Sequence, residues 1–306
     1  MTNQSITQSQ KRSLESITPL FSSDNAGGAD VLFLKSSSDI GVERNGGRNG
    51  ARFAPKSFLS YFKKLNNSPS LFAKKFKELE VANETEEKGD FQLAQIQQSK
   101  RISKIIQENP NSFICHLGGG HDHVFPLLLA LGENFKKVIV LNIDAHADTR
   151  TDPLAHSGTP FRQFSNDFKG EFLLFQIGLL ELANSQSTLE KLERSKTYTL
   201  WRKDLFDSHK LDSFFDRIKN EIDHHTVVVF SLDADALSGE LAPGVSAVNG
   251  NGINREELRL LWSEYKKFPL PHKPVLGIYE LNPVYDTVSM LSVRTLANFV
   301  YDCFLG

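Results

Sequence analysis

The feature of this chain that most constrains its fold is a series of short, unbroken apolar runs separated by segments of helical periodicity. The runs read VLFL, SFICHL, KVIVLNI, FLLFQIGL, TVVVFSL and VLGIYEL. Helical segments follow several of them: FQLAQIQQSKRISKIIQEN, LEKLERS, LDSFFDRIKNEI, REELRLLWSEYKK and VSMLSVRTLANFVYDCF. Strands that are apolar on both faces are typical of a parallel sheet buried between helices. The sequence therefore predicts an α/β fold in which helices cover both faces of one parallel β-sheet.

A stretch of different composition precedes this regular part of the chain. Residues 1–28 are poor in apolar side chains and end in a glycine-rich turn, so we expect a flexible or helical N-terminal arm there. No internal repeat and no Pro/Ser-rich linker interrupts residues 29–306. Those residues are therefore predicted to form a single α/β domain.

The composition narrows the classes of protein to which the chain can belong. It has 306 residues, of which 40% are hydrophobic and 24% are charged, as in soluble globular proteins. The formal net charge of −2 gives no basis for binding nucleic acid or a membrane surface, so neither partner is expected. No apolar run is long enough to cross a membrane, and Cys115 and Cys303 lack the spacing of a zinc site. We therefore expect a cytoplasmic protein with reduced thiols.

Polar, metal-capable side chains follow four of the apolar runs, at the point where each predicted strand ends. GGGHDH follows SFICHL, DAHAD follows KVIVLNI, DADAL follows TVVVFSL, and ELNP follows VLGIY. The carboxyl ends of parallel strands lie at one edge of a sheet, where α/β proteins bind their ligands. We therefore expect six side chains to meet there as candidate metal ligands: His121, Asp144, His146, Asp148, Asp233 and Asp235.

The four carboxylates in this set require a positive counter-charge. Two like charges about 4 Å apart repel by several kcal/mol at an intermediate dielectric constant. Two divalent ions would balance four carboxylates, and oxygen ligands with one imidazole per ion favour Mn²⁺ over tetrahedral zinc. Two such ions about 3.5–4 Å apart can lower the pKa of a shared water toward 7. The motifs therefore predict a hydrolase that uses two Mn²⁺ ions per subunit.

The same motifs resemble those of the ureohydrolases, the family of arginases, agmatinases and formimidoylglutamases. The resemblance rests on GGGHD at 118–122, DAHAD at 144–148, SLDADAL and APGVSA within 231–247, and ELNP at 280–283. The stretch GVERNGGRNGARFAP at 41–55 is similar to the family's entry loop. The resemblance implies a parallel α/β sheet, a pair of Mn²⁺ ions, and hydrolysis of the C–N bonds of linear amidines.

The resemblance also implies roles for individual residues. Asp148 and Glu280 become catalytic candidates, and Glu280 would face the cationic carbon centre of the substrate. Two ligand sets would share the bridging carboxylates Asp144 and Asp233. The remaining ligands would be His121 and Asp148 for one ion, and His146 and Asp235 for the other.

Within the family, the sequence is more similar to formimidoylglutamases. GGGH replaces the GGDH of arginases and agmatinases, and SGTPFRQ at 157–163, APGVSA at 242–247 and Arg150 match that subgroup. The resemblance implies hydrolysis of N-formimidoyl-L-glutamate to L-glutamate and formamide, in histidine degradation. Because this substrate carries two carboxylates, its pocket needs guanidinium groups, for which Arg150, Arg44 and Arg162 are the candidates.

Two histidines are candidates for protonating the leaving nitrogen. Arginases use a histidine before a glycine downstream of the metal loop, but AHSGTPF places His156 one position earlier and Ser157 at the matching position. His123 is a second candidate because it lies close in sequence to the ligand His121. Either histidine could serve as the proton donor.

Two other functions remain open from the sequence. A hydrolase of another guanidino or amidino compound, such as arginine, agmatine or a guanidino acid, would have the same metal motifs; Arg150 favours an acid-bearing substrate. A catalytically silent family member that acts as a binding subunit would have lost a metal ligand, and all six are present. We expect a homo-oligomer that acts on a small-molecule amidine.

Overall fold

The chain folds around one parallel β-sheet whose strands differ in length. The computed structural model describes residues 15–21, 28–71, 74–189 and 192–305. Its eight strands pair in the order β2-β1-β3-β8-β7-β4-β5-β6, and every pair is parallel. The strands are β1 (Val31–Ser37), β2 (Phe76–Asn83), β3 (Phe113–Leu117), β4 (Lys137–Ile143), β5 (Glu171–Leu179), β6 (Ser195–Trp201), β7 (Thr226–Asp233) and β8 (Val275–Tyr279).

Helices connect these strands and pack on both faces of the sheet. They are α1 (Ile40–Arg44), α2 (Ala54–Phe62), α3 (Glu84–Gly89), α4 (Phe91–Glu108), α5 (Val124–Gly132), α6 (Pro160–Asp167), α7 (Ser208–Glu221), α8 (Arg255–Lys266) and α9 (Leu291–Leu305). None of the described helices is both long and apolar enough to cross a membrane.

The sheet separates two hydrophobic cores. Successive strand residues point to opposite faces, so Phe33 of β1 lies in one core and Leu34 in the other. The first core also contains apolar side chains of α2, α7, α8 and α9, such as Phe58 and Trp262. The second contains those of α4, α5 and α6, such as Phe164. The predicted α/β fold, a parallel sheet between two helical layers, is confirmed.

The six apolar runs are all strands, but two further strands lie outside them. Both β2 and β6 are edge strands, and each has several half-exposed side chains. Because an edge strand is incompletely covered, its sequence mixes polar and apolar residues and lacks a continuous apolar run. The helix predicted at LEKLERS is wrong, since residues 193–194 form a turn and Ser195 begins β6.

Part of the predicted N-terminal arm packs on the domain. Residues 1–14 and 22–27, most of that arm, lie outside the described residues. Ile17 is fully buried in the first core, and its backbone N–H donates to the Leu65 carbonyl at 2.9 Å. Phe21 forms an isolated bridge with Phe76 at the start of β2. Residues 15–21 therefore cover the β2 edge of the sheet.

The strand order brings the four polar motifs together. The central strands β3, β8, β7 and β4 are consecutive in the sheet, and each precedes one of these motifs. Leu117, Ile278, Leu232 and Ile143 form one row across the four strands. Each motif therefore begins at the same height, along one carboxyl edge of the sheet.

Candidate metal centre

Four of the six predicted ligands form one tight group. His121, Asp144, Asp148 and Asp233 each offer an atom within 4.8 Å of the others. Nδ1 of His121 lies 3.2 Å from Asp144 Oδ2, 2.9 Å from Asp148 Oδ2 and 3.1 Å from Asp233 Oδ2. One imidazole nitrogen therefore faces three carboxylates, an arrangement that suits a divalent cation.

A second group shares Asp144 with the first. It consists of Asp144, His146 and Asp235. Nδ1 of His146 lies 3.6 Å from Asp144 Oδ1 and 3.3 Å from Asp235 Oδ2. Asp144 thus directs one oxygen to each group, as expected of a bridging ligand. Asp233, the other predicted bridge, lies in the first group alone, and its bridging role stays a prediction.

The two-residue spacing within the motifs has a local cause. Oδ1 of Asp144 accepts the backbone N–H of His146 at 2.8 Å, and Oδ1 of Asp233 accepts that of Asp235 at 2.8 Å. Each aspartate therefore forms a tight turn in which its side chain bonds to the backbone two residues later. This turn directs the side chain of that later residue toward the same site. Asp148 ends its motif in the left-handed region, with φ of 50°.

Burial and the close spacing of the carboxyl groups shift the pKa values of the residues in this cluster. Burial raises the pKa of Asp235 to about 6. Burial, together with the charges of Asp235 and Asp144, raises the pKa of Asp233 well above its ordinary value. Burial opposes protonation of His121, but hydrogen bonds with three aspartates outweigh it and raise its pKa. Oδ1 of Asp235 is buried without a hydrogen-bond partner among the residues described. The donor set thus fits two hard or borderline divalent ions, which would neutralise the buried carboxylates.

Glu280 lies directly beside this cluster. Its backbone N–H donates to the Gly119 carbonyl at 2.8 Å, and its Oε1 accepts the backbone N–H of His121 at 2.9 Å. The residue has φ of 61°, a conformation that costs energy for a side chain of this size. Burial, and then the charge of Asp233, raises the pKa of Glu280 well above its ordinary value. A cationic ligand would stabilise its carboxylate form.

A cavity of about 480 Å³ opens onto this edge of the sheet. This volume suits a small-molecule ligand. Its inner wall contains acidic and imidazole side chains: His146, Asp148, Asp233, Asp235 and Glu280. Its outer wall contains hydroxyl, amide and charged side chains: Asn45, Arg150, Thr151, Asp152, Ser157, Asn184, Ser185, Ser187, Thr188 and Ser246.

Comparison with protein families agrees with this geometry. Residues 30–306, which hold the whole sheet and the site, match the model of the arginase family. The chain belongs to the arginase family. Two curated relatives of this arginase-family chain are named formimidoylglutamase. The protein from Rhodococcus opacus is 27% identical over 297 residues, 94% of this chain and 88% of the relative. That from Staphylococcus aureus is 28% identical over 300 residues, 95% and 90% of the two chains.

Solved structures of the arginase family share the fold of this member. Formimidoylglutamase from Bacillus subtilis superposes with a TM-score of 0.81 at 17% identity, covering 99% of this chain and 92% of that one. Trypanosoma cruzi formiminoglutamase with Mn²⁺ gives a TM-score of 0.77 at 23% identity, covering 95% and 97%. At these sequence identities, the structural similarity shows that the chains share a fold.

The three arginine candidates of this arginase-family chain lie in different places. Arg150 lines the cavity. Nε of Arg44 donates to the Ala155 carbonyl at 2.8 Å, and its guanidinium lies over the Phe91 ring. Nε of Arg162 donates to the Thr149 carbonyl at 2.7 Å. Among the described residues, the wall of this cavity includes Arg150 but neither Arg44 nor Arg162.

The two candidate proton donors do not line the cavity either. His156 is buried, with Nε2 2.8 Å from Asp152 Oδ2. His123 is fully buried between Gln98 and the Ser38 carbonyl, each 3.1 Å from a ring nitrogen. In the described structure, both rings are therefore bonded to other protein groups, and His156 reaches the cavity wall only through Asp152.

Sequence reasoning missed three residues that contact candidate site residues. Ser231 of β7 places its hydroxyl 2.9 Å from His121 Nε2. Asn45 and Asp152 contact the Arg150 guanidinium at 2.7 Å and 2.6 Å. The alternation on β7, where Ser231 precedes Asp233 on the same face, was a usable signal for Ser231. No periodicity marks Asn45 or Asp152, because both lie outside regular elements.

Proposed function

We propose that this chain hydrolyses N-formimidoyl-L-glutamate to L-glutamate and formamide with two Mn²⁺ ions bound. The observation that carries the proposal is the presence of two overlapping ligand groups, Glu280 and Arg150 around one cavity. The names of the relatives support this substrate. In this reaction one water molecule cleaves the bond between the formimidoyl carbon and the glutamate nitrogen. The leaving group is the amine of L-glutamate.

The candidate ligands suit manganese. His121, Asp148 and Asp233 would complete one set with Asp144, and His146 and Asp235 would complete the other. When bound, the two Mn²⁺ ions would supply a water whose pKa is lowered toward 7, as the nucleophile for the amidine carbon. The ring of His121 is held between Ser231 and the carboxylates, so little reorganisation is needed to bind metal.

The remaining cavity residues would bind the two ends of the substrate. Glu280 lies at the metal end, where its carboxylate can stabilise a cationic formimidoyl group. Arg150 lies on the outer wall, where its guanidinium can form a charge-assisted pair with a carboxylate of the glutamate moiety. An amine at that position, as in agmatine, could not form this pair with Arg150. This polarity distinguishes the proposed substrate from a diamine-like one.

We further propose a cytoplasmic location, which the two free, buried cysteines support. The expected homo-oligomer and the arm at residues 1–28 stay predictions.

A substrate panel tests the proposed activity. The Mn²⁺-loaded protein would be assayed with N-formimidoyl-L-glutamate, L-arginine, agmatine and 4-guanidinobutyrate, and kcat/KM compared. We expect the formimidoyl compound to exceed each of the others by at least about 100-fold, because only it has both an amidine head and two carboxylates. A higher kcat/KM for arginine, agmatine or guanidinobutyrate would replace this assignment with the corresponding guanidino hydrolase.

A further inference from the structure

His156 is held in one tautomer by the loop in which it lies. The backbone N–H of Gly158 donates to His156 Nδ1 at 3.0 Å, so the ring proton is on Nε2. From there it is donated to Oδ2 of Asp152 at 2.8 Å. His156 is 4% exposed, whereas the Asp152 side chain is 37% exposed. A buried ring therefore anchors a carboxylate at the cavity wall.

The anchored carboxylate in turn contacts Arg150. Oδ2 of Asp152, the oxygen that accepts from His156, lies 2.6 Å from Nη2 of Arg150. The backbone of the arginine is fixed as well, because its N–H donates to the Gly158 carbonyl at 3.0 Å. His156, Asp152 and Arg150 are thus joined in a closed ring of contacts through Gly158.

Asn45 holds the other side of the guanidinium. Nη1 of Arg150 donates to Oδ1 of Asn45 at 2.7 Å, and Nδ2 of Asn45 donates to Ser157 Oγ at 3.1 Å. The second contact fixes the amide with its oxygen toward Arg150. With each Nη nitrogen held by one acceptor, Nε–H and the second hydrogens of the Nη groups are left for a ligand. The side chain is 45% exposed and lines the cavity.

We propose that Asn45, Asp152 and His156 form a frame that positions the Arg150 guanidinium to receive a substrate carboxylate. This inference rests on the proposed function, since it assumes an acid-bearing substrate. A long arginine side chain on an open wall loses conformational entropy when it clamps a ligand, and a preformed frame reduces that loss. His156 is therefore a positioning residue that acts through Arg150.

A double-mutant cycle on the Mn²⁺-loaded protein tests the frame. Arg150→Ala, His156→Gln and the double variant would be compared for KM and kcat with N-formimidoyl-L-glutamate, and for affinity toward L-glutamate by calorimetry. We expect Arg150→Ala to raise KM by about 100-fold and to lower the affinity for L-glutamate by about 100-fold. For His156→Gln we expect changes of about 10-fold in both quantities, while kcat changes less than about threefold. Adding His156→Gln to Arg150→Ala should cause no further loss.

Controls separate positioning from folding. Asp152→Asn, at a partly exposed site, should reproduce the His156→Gln effect and show the same lack of additivity with Arg150→Ala. His209→Gln, at an exposed histidine on α7, should match the wild type. Independent, multiplicative losses in the double variant would overturn the frame. A His156→Gln variant with reduced kcat and unchanged KM would also overturn it, because that result indicates proton transfer.

The frame and the proposed function can fail separately. If the wild type does not hydrolyse N-formimidoyl-L-glutamate, but Arg150 and His156 are coupled in L-glutamate binding, the frame stands and the proposed function falls. If that substrate is hydrolysed while L-glutamate binds equally well to wild type and Arg150→Ala, the frame falls and the proposed function stands. A wild type that neither hydrolyses N-formimidoyl-L-glutamate nor binds L-glutamate contradicts both the frame and the proposed function.

Discussion

The hydroxyl of Ser231 lies 2.9 Å from Nε2 of His121, on the side of the ring opposite the three aspartates. When Nε2–H donates to the serine, Nδ1 faces the three aspartates, where a cation could take the place of a proton. The Tyr279 ring stacks on the same imidazole, with centroids 4.8 Å apart. Two buried neighbours thus hold the position and the plane of this candidate ligand.

Ser231→Ala should lower the affinity for one Mn²⁺ ion by about 10–100-fold, because the ring loses the partner that orients it. The second ion should bind as in the wild type. Manganese titration followed by calorimetry measures both steps. Equal affinities at both sites in the variant and the wild type would show that Ser231 does not support His121.

Replacing the shared carboxylate should affect both ligand groups. For Asp144→Ala we expect fewer than two manganese ions per chain and no measurable turnover, since one oxygen is lost from each group. Asp235→Ala is the matched comparison, because it removes a ligand from the second group alone and should retain the first ion. Elemental analysis after dialysis gives the stoichiometry. Two ions retained by Asp144→Ala would contradict a bridging role.

Removing the guanidinium at the outer wall should impair substrate use without disturbing the metals. Arg150→Ala should reduce kcat/KM for N-formimidoyl-L-glutamate by about 100-fold or more, and Arg150→Lys should restore only part, since an ammonium lacks the bidentate fork. Arg44→Ala is the control, because Arg44 is bonded to the Ala155 carbonyl outside the cavity wall. Near-native efficiency of Arg150→Ala would remove the argument for a dicarboxylate substrate.

A buried histidine should make stability depend on pH. Burial, aided by the charge of His123, lowers the pKa of His116 from 6.5 to about 3. Between those values the unfolded chain binds this proton and the native chain does not, so the free energy of unfolding falls as pH falls. His116→Gln should reduce that slope by up to about 1.4 kcal/mol per pH unit between pH 6 and 4, while costing stability at pH 7.

Urea denaturation at pH 7, 6, 5 and 4 measures this dependence. The His209→Gln variant, which changes an exposed histidine, serves as the reference. Parallel pH dependences for His116→Gln and the wild type would mean that folding does not lower the pKa of His116.

The meeting of the candidate metal ligands was largely predictable from the sequence because these residues follow buried strands. Leu232, just before Asp233, and Ile143, just before Asp144, are fully buried and in register, so the motifs had to meet at one edge. The spacing of the ligands is local chemistry, set by aspartate side chains that bond to backbone two residues later.

The edge strands and the outer wall were not predictable in the same way. Half-exposed β2 and β6 have no continuous apolar run. The direction of His156 depends on a hydrogen bond from Gly158 within an irregular loop, which no periodicity encodes. The sequence indicated His156 as a candidate proton donor, whereas in the structure its ring bonds to Asp152. Contacts between loops distant in sequence, such as Asn45 with Arg150, follow only from the folded chain.

The most direct test of the account is product identification with N-formimidoyl-L-glutamate as substrate and defined metal content. The account predicts equimolar formamide and L-glutamate by proton NMR, complete loss of turnover after chelation, and recovery as manganese approaches two ions per chain. Unchanged turnover in the chelated protein, or no formamide from the fully loaded protein, would contradict the proposal of a binuclear manganese formimidoylglutamate hydrolase.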